Sequence, residues 1–387
     1  MILRLNNLLI LLFLWVQWRI TVKLFGRAWR RYSGPALTAA RAAILVFGAL
    51  AMFGFLLGMP EELGSMRLPA AVYLLASAAA LTYFATAATA LAVSYGMRHL
   101  HQRFAHRMDP GRRRFLSAAG NVLVASPLAA IGCGFVARTD FRVREIDVPV
   151  AGLPAPLDGL RVLHLSDIHL SAFLSERQFA RVIDASNGLG ANLAVVTGDL
   201  ISGVGDPLDA CIRQLARLKA DAGVFGCMGN HERYARGEAY VRSAAARFGI
   251  RFLRGEARPL RFGDATLNLA GVDYQSKAQQ RFYLRGAEKL LAPGALNVLL
   301  SHNPDVFPVA ARQGYNLMLS GHTHGGQVTV EILEQTLNPA RFFTPFVHGL
   351  YRLGPAAAYV TRGIGTIGIP ARIGALPEIT VLRLRKG

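Results

Sequence analysis

The sequence predicts a two-part protein: an α-helical, membrane-type region over residues 1–144, followed by an α/β domain over residues 145–387. Three observations carry this division. Hydrophobic residues make up 52% of the chain, and the mean hydropathy of +0.31 is too apolar for an ordinary soluble protein. Charge is split unevenly, with 17 Lys+Arg against 4 Asp+Glu in residues 1–144 and 26 against 20 in the remainder. After Arg144 the texture becomes short apolar runs alternating with amphipathic ones, the pattern of strands alternating with helices.

Four apolar segments occupy the front third, at roughly 5–22, 39–59, 68–97 and 115–137. The last three reach the ~20 residues a helix needs to cross a bilayer. The first is shorter, but Trp15 and Trp18 suit an interface, and it is counted as a fourth span. Arg19, Lys23, Arg27, Arg30, Arg31 and Arg41 lie between spans one and two, and Arg98, Arg103, Arg107, Arg112, Arg113 and Arg114 between three and four. Between two and three stand Glu61, Glu62 and only Arg67. The positive-inside bias then puts the basic loops in the cytoplasm and everything after about Ala137 outside, at a bacterial inner membrane. This placement of charge also argues against a nucleic-acid binder, whose cations should stripe a soluble surface. Arg112-Arg113-Arg114-Phe115-Leu116-Ser117 resembles a twin-arginine export signal; the plainer reading is the end of a cytoplasmic loop.

In the second part, Leu160–Leu165, Leu193–Val196, Gly223–Met228, Leu267–Val272, Val298–Leu300 and Leu317–Leu319 read as strands. Ser175–Asn187, Pro207–Leu218 and Tyr240–Phe248 read as helices. Ligands in α/β cores gather at strand ends. The strand ends here carry Asp167-Ile168-His169, Gly198-Asp199, Gly229-Asn230-His231-Glu232, Ser301-His302-Asn303 and Gly321-His322-Thr323-His324. An extended chain at the last cluster would send His322 and His324 to one side and Thr323 to the other. With His231 set aside, these clusters offer two carboxylates, one amide and four imidazoles. A mixed oxygen and nitrogen set suits Mn, Fe or Zn rather than Ca or Mg. Seven donors are too many for one tetrahedral ion and suit two ions sharing a carboxylate, an arrangement that clamps an in-line displacement at phosphorus.

In order and form these clusters resemble the signature of the calcineurin-like metallophosphoesterases, and the segment Gly321-His322-Thr323-His324-Gly325-Gly326-Gln327-Val328 matches it closely. The spans ahead, with Thr361-Arg362-Gly363 and Pro377-Glu378-Ile379 behind, look like the transmembrane branch of that family. The resemblance implies a two-sheet β-sandwich flanked by helices, with the site along one rim. It implies one metal on Asp167, His169, Asp199 and His324, and a second on Asp199, Asn230, His302 and His322. It makes His231 a catalytic group that contacts the phosphoryl oxygen and protonates the leaving alkoxide, with Glu232 orienting it. It implies a phosphodiesterase or pyrophosphatase, and tethering favours a phosphorylated lipid or envelope substrate.

Two alternatives stand beside this. Some relatives are named UDP-2,3-diacylglucosamine pyrophosphatases, of lipid A biosynthesis, but nucleotide-activated lipids are cytoplasmic whereas the charge bias puts this domain outside. A membrane transport or assembly factor with a vestigial metal-binding domain would not need the full donor set, and its spans should carry buried charge.

Several features take plainer readings. His164 reads as a packed core histidine, and Cys133, Cys211 and Cys227, lacking CxxC spacing, as structural thiols. Gly363-Ile364-Gly365-Thr366-Ile367-Gly368 lacks the following helix and acidic residue of a dinucleotide site and reads as a loop. Arg362 is a candidate phosphate grip, and the arginines from Arg242 to Arg261 read as a solvated basic face. Neither HExxH nor GxxxxGK[ST] occurs.

Overall fold

The computed structural model describes residues 2–57, 70–104, 109–327, 329–332, 335–367 and 371–387. The chain divides into two compact units, with the boundary between residues 134 and 135.

The first unit is helical: α1 (Ile2–Arg31), α2 (Gly34–Leu57), α3 (Ala70–Phe104) and α4 (Pro110–Ala137). The four apolar segments are therefore four helices. Among the described residues, however, only Gly34–Leu56 is long and apolar enough to count as a membrane span. The expectation of four spans narrows accordingly. Residues 58, 59, 68 and 69 and the loop with Glu61, Glu62 and Arg67 lie outside the described residues. A second revision concerns the first basic loop. Residues Arg19 to Arg31 do not form a loop at all, because α1 continues to Arg31 and only Tyr32 and Ser33 separate it from α2. Phe13 on α1 stacks on Phe55 of α2 with ring centroids 4.4 Å apart. Arg19 donates to the Tyr95 hydroxyl, and Lys23 Nζ to Ser94 Oγ at 2.7 Å, so polar side chains of α1 find partners on α3.

The second unit begins with β1 (Arg142–Val150), so a division after residue 144 would cut its first strand. It continues through β2 (Arg161–Leu165), α5 (Glu176–Asn187), β3 (Leu193–Val196), α6 (Leu208–Leu215), β4 (Val224–Gly226), α7 (Asn230–Tyr234), α8 (Glu238–Ala246) and β5 (Arg251–Phe252). Next come β6 (Glu256–Phe262), β7 (Ala265–Gly271), β8 (Leu296–Leu300), α9 (Phe307–Gln313) and β9 (Leu317–Ser320). The chain closes with β10 (Val330–Ile332), β11 (Gln335–Leu337), β12 (Gly349–Leu353), β13 (Ala356–Val360) and β14 (Glu378–Lys386).

One six-stranded sheet has the order β1-β14-β2-β3-β4-β5, parallel except where β14 meets β2. The other has the order β12-β13-β9-β8-β7-β6, with antiparallel pairs at both edges. Period-two alternation gives each sheet two different faces. Val162 of β2, Leu193 and Val195 of β3, Leu267 and Leu269 of β7, and Leu317 and Leu319 of β9 share one apolar core between the sheets. Leu163 and Leu165 point the other way, onto Phe179, Val182 and Ile183 of α5. Those three helix residues recur at helical spacing and are fully buried, each contributing roughly 1.5–3 kcal/mol. Ser175 caps α5, its hydroxyl accepting from the Gln178 amide while the Gln178 side chain returns the bond. The architecture is an α/β sandwich of two mixed sheets with helices outside.

His164 sits in the core, as its place inside a strand suggested. Its Nε2 lies 2.8 Å from Thr197 Oγ1, and burial pulls its pKa down to about 3. Cys211 and Cys227 are buried free thiols, and Cys133 is exposed on α4.

Candidate metal centre

Strands β2, β3, β4, β8 and β9 all release their chains toward one rim, and each exit loop delivers a donor. Asp167 and His169 follow β2, Asp199 follows β3, Asn230 and His231 open α7 after β4, His302 follows β8, and His322 and His324 follow β9. All eight side chains expected at a site are thus brought to one rim.

The loops are bent in an unusual way. Among the described residues, eight non-glycine positions have φ in the left-handed region, and five of them are Asp167, His169, Asp199, His322 and His324. Such backbone costs on the order of 1–3 kcal/mol per residue and persists where the surrounding structure over-determines it, as it does at functional sites. The extended reading of 322–324 is therefore corrected. His322 (φ 75°) and His324 (φ 53°) flank a helical Thr323, so the segment is a tight turn. Its two imidazoles part company: His322 Nδ1 lies 3.2 Å from His302 Nε2, whereas His324 Nε2 lies 3.2 Å from His169 Nε2. The neighbouring glycines are required by close approach. A Cβ on Gly229 would stand 2.1 Å from Asp199 Oδ1, and one on Gly321 would stand 2.2 Å from Asp167 Oδ2.

Three overlapping donor groups result, each able to hold a cation: Asp167, His169 and His324 form the first, Asp199, His302 and His322 the second, and His169, Asp199 and His231 a third that shares its members with both. Asp199 links them: its Oδ2 lies 3.5 Å from His169 Nε2 and 3.1 Å from His302 Nε2. Its Oδ1 accepts the His231 backbone N–H at 2.9 Å. Asn230 Oδ1 is buried with no hydrogen-bond partner, an orphaned acceptor of the kind a cation satisfies. The Nε2 atoms of His169 and His324, 3.2 Å apart, fit the same demand, since one cation can take both lone pairs.

Electrostatics agree. Burial raises the Asp167 pKa to about 6. Burial pulls His169 and His322 down to about 3 and His324 well below its ordinary value, so all three are neutral ligands. At Asp199 burial is outweighed by His302 and the other imidazoles, which hold its carboxyl well below the usual range. His302 is penalised by burial but raised to about 9 by Asp199.

Supporting contacts fix the ligands. His302 Nδ1 lies 2.6 Å from the Thr197 carbonyl, so Nδ1 keeps its proton and Nε2 is the nitrogen turned inward. His231 Nδ1 likewise lies 2.6 Å from the Ser202 carbonyl, leaving Nε2 as the working nitrogen. Glu232 is not the partner of His231. Its carboxylate accepts backbone N–H groups of Gly229, Asp199 and Leu200 at 2.7 to 2.9 Å and so binds two ligand loops together. The glycine-rich stretch after β13 is a loop, with the Ile364 and Gly365 amides donating to the Ser166 and Asp167 carbonyls. Arg362 does not reach out as a phosphate grip: its amide donates to buried Glu378 and its Nη2 lies 3.0 Å from His348 Nε2.

A profile of the calcineurin-like phosphoesterase family matches residues 160–326, the segment that carries every donor. A Bos taurus transmembrane protein with a metallophosphoesterase domain is 30% identical over 317 residues, covering 76% of this chain and 70% of that one. The chain belongs to the calcineurin-like metallophosphoesterases. A Danio rerio protein of the same name is 32% identical over 68% of this chain and 62% of the relative. YkuE of Bacillus subtilis, an uncharacterized metallophosphoesterase, is 29% identical over 71% of this chain and 97% of its own length. This metallophosphoesterase is accordingly a metal-dependent phosphoric ester hydrolase built on a buried His/Asp cluster.

Three residues of the centre escaped sequence reasoning. Ser202 holds His231 through its carbonyl and approaches His169 Nδ1 with Oγ at 3.2 Å. Tyr274 places its ring 5.4 Å from that of His322. Arg372 is fully buried behind His324, donating to the carbonyls of His324, Arg362, Ala375 and Gly365. Only Arg372 left a signal, a lone cation in the apolar run Pro370-Ala371-Arg372-Ile373.

Proposed function

We propose that this metallophosphoesterase is a membrane-anchored dinuclear enzyme that hydrolyses phosphodiesters of a lipid or envelope substrate outside the cytoplasm. The observation that carries the dinuclear reading is the single oxygen, Asp199 Oδ2, lying between two donor groups that each contain further carboxylate or imidazole ligands. Asp167, His169, Asp199 and His324 would hold one cation, and Asp199, Asn230, His302 and His322 the other. The mixed donor set suits Mn, Fe or Zn. When bound, such a pair supplies the positive charge that polarises a phosphoryl oxygen and makes a hydroxide nucleophile available at neutral pH.

The chain's own residues do the rest. His231 is half-buried at the mouth, with Nδ1–H fixed on Ser202. Its Nε2 is thereby free to contact a phosphoryl oxygen and to carry a proton to the leaving alkoxide. His322, also half-buried, and Tyr274 form the other lip. The fully buried carboxylates and imidazoles behind them exclude water from the inner side of the site.

Membrane anchoring draws support from the apolar helix Gly34–Leu56 and from relatives named as transmembrane proteins. An external catalytic unit is the orientation expected if the basic end of α1 stays on the cytoplasmic side of that one helix.

The test is hydrolysis of bis-p-nitrophenyl phosphate and p-nitrophenyl phosphate by the full chain in detergent with Mn, in wild type and Asp199→Ala. Diester cleavage lost in the variant supports the proposal. Monoester cleavage alone would make the protein a phosphatase, and turnover of neither with two metals bound would overturn the phosphodiesterase reading.

A further inference from the structure

The mouth of the metal centre carries more exposed apolar surface than catalysis on a water-borne ester requires. Val204 is 86% exposed and Phe342 82% exposed, and Tyr234, Phe282 and Phe343 are more than half exposed. Soluble proteins scatter single exposed hydrophobics, but here they sit at the tips of four loops tied to one site. Val204 lies two residues beyond Ser202, the anchor of His231. The Tyr234 ring is 5.6 Å from that of His231. Arg233, next to it, donates to the Tyr274 carbonyl and to Gln279, which joins this loop to the 3-10 turn ending at Phe282. Lys277 from the same turn donates to the Phe343 carbonyl at 3.2 Å. The turn ending at Phe342 is pinned by Asn338, whose Nδ2 donates to the Gly325 carbonyl at 2.9 Å, directly beside His324.

On two of these loops the charge has one sign. Residues 274–286 and 338–348 contain Lys277, Arg281, Arg285 and Arg341 and no Asp or Glu. No ion pair among the described residues neutralises any of the four. The arginines from Arg242 to Arg261 behave differently: Arg242 pairs with Glu256 at 3.1 Å and Arg254 with Asp273 at 2.8 Å. Arg285 instead stacks over Phe282, 4.3 Å from the ring centroid. Aromatic tips interleaved with unpaired cations are the chemistry of a surface that enters the headgroup layer of an anionic membrane.

We propose that the rim of the metal centre is a docking surface for an anionic lipid bilayer. Val204, Tyr234, Phe282, Phe342 and Phe343 enter the interface, and Lys277, Arg281, Arg285 and Arg341 meet lipid phosphates. The phosphoester then reaches the site from the membrane plane, with its apolar part remaining among lipids. This account of substrate delivery rests on the phosphoesterase reading above; the docking itself does not.

All three tryptophans, Trp15, Trp18 and Trp29, lie in the helical unit, which makes a clean probe possible. The full chain with these three changed to Phe, and with Phe342→Trp, is reconstituted into vesicles of phosphatidylglycerol or phosphatidylcholine. Docking predicts a blue-shifted emission in phosphatidylglycerol that is quenched by lipids brominated on their acyl chains. It predicts that Arg281→Gln or Arg285→Gln added to the probe weakens the docked fraction about fivefold each, in phosphatidylglycerol alone. A water-exposed spectrum in both lipids overturns the proposal. So does a blue shift that rises with protein density and resists brominated lipid, since that marks a second copy or another protein. Turnover of soluble bis-p-nitrophenyl phosphate by the same preparations separates the two readings. Quenching without turnover leaves docking standing and the phosphodiesterase reading lost, and turnover without quenching does the reverse.

Discussion

The two donor groups of the metal centre look equivalent in composition but are held in opposite electrostatic states. Asp167, His169 and His324 are all buried, with a carboxyl raised to about 6 and neutral imidazoles. Asp199, His302 and His322 include the half-buried His322, and burial there is overcome by an ion pair, 3.1 Å from His302 to Asp199. The first group is therefore nearly neutral without metal at mild acidity, whereas the second is already an internal salt. The lesson is that a cation entering the first group displaces little, while one entering the second must expel the proton of His302. Proximity to solvent follows the same division, since His322, His231 and Tyr274 form the mouth and Asp167 lies at the back.

The largest effect should come from erasing the link between the groups. Asp199→Ala removes the oxygen placed toward both, and it leaves His302 without its counter-charge in a dry site. Bound metal should fall from two ions to fewer than one and diester turnover should be lost. Metal analysis after gel filtration checks this, and an Asp199→Ala protein holding two ions would refute the shared-ligand arrangement.

Next in size is His231→Ala. Its imidazole contacts no cation in the proposed scheme, so both ions should remain while kcat falls about 10²–10⁴-fold, the usual worth of a positioned proton donor. A substrate whose leaving group needs no proton should lose far less. If turnover is unchanged for a poor leaving group, His231 has no part in the chemistry.

The pH dependence of metal affinity should separate the groups directly. A metal needs His302 unprotonated, and without metal that proton is held up to about pH 9. Affinity at the second group should therefore rise about tenfold per pH unit from 7 to 9. The first group needs Asp167 ionised, which holds above about pH 6, so its affinity should stay flat over that range and fall only as pH drops through 6. Competitive metal titration at pH 5, 7 and 9 measures both slopes. Parallel slopes would mean that the groups share their protons and the asymmetry is not real.

Much of this centre was legible in the sequence, because each ligand follows an apolar strand and four of the seven, Asp199, Asn230, His322 and His324, stand beside a glycine. Both signals are local. At 322–324 strand alternation puts both imidazoles on one side, but Gly321, Gly325 and Gly326 bracket a bend that parts them. The family resemblance pairs Glu232 with His231, whereas a buried carboxylate goes where backbone amides lack partners, here at Gly229, Asp199 and Leu200. In the fold, β1 and β14 carry readable alternation, yet the pairing of Arg142 with Glu378 closes more than two hundred residues and has no local signature. The four apolar helices were equally readable from composition, but composition could not say that α1 would carry its arginines to Arg31 without a break.

The smallest expected effect tests the back of the first group. Arg372 lies behind His324 with no exposed surface to speak of, and burial lowers its pKa to about 10, so it remains charged. Its donors satisfy four carbonyls, of which that of His324 belongs to a ligand loop and that of Gly365 to the loop whose amide holds the Asp167 carbonyl. Arg372→Met would fill the volume but leave those carbonyls unpaired, letting His324 turn away from His169 and Asp167. Affinity at the first group should fall about 10–100-fold, as for other outer supports of metal ligands, with the second group untouched. A general packing defect would instead weaken both groups together and lower the melting temperature of the metal-free protein in proportion. Resolving the two binding steps by calorimetry decides between them, because only a positioning role confines the loss to the step whose pH profile is flat from 7 to 9.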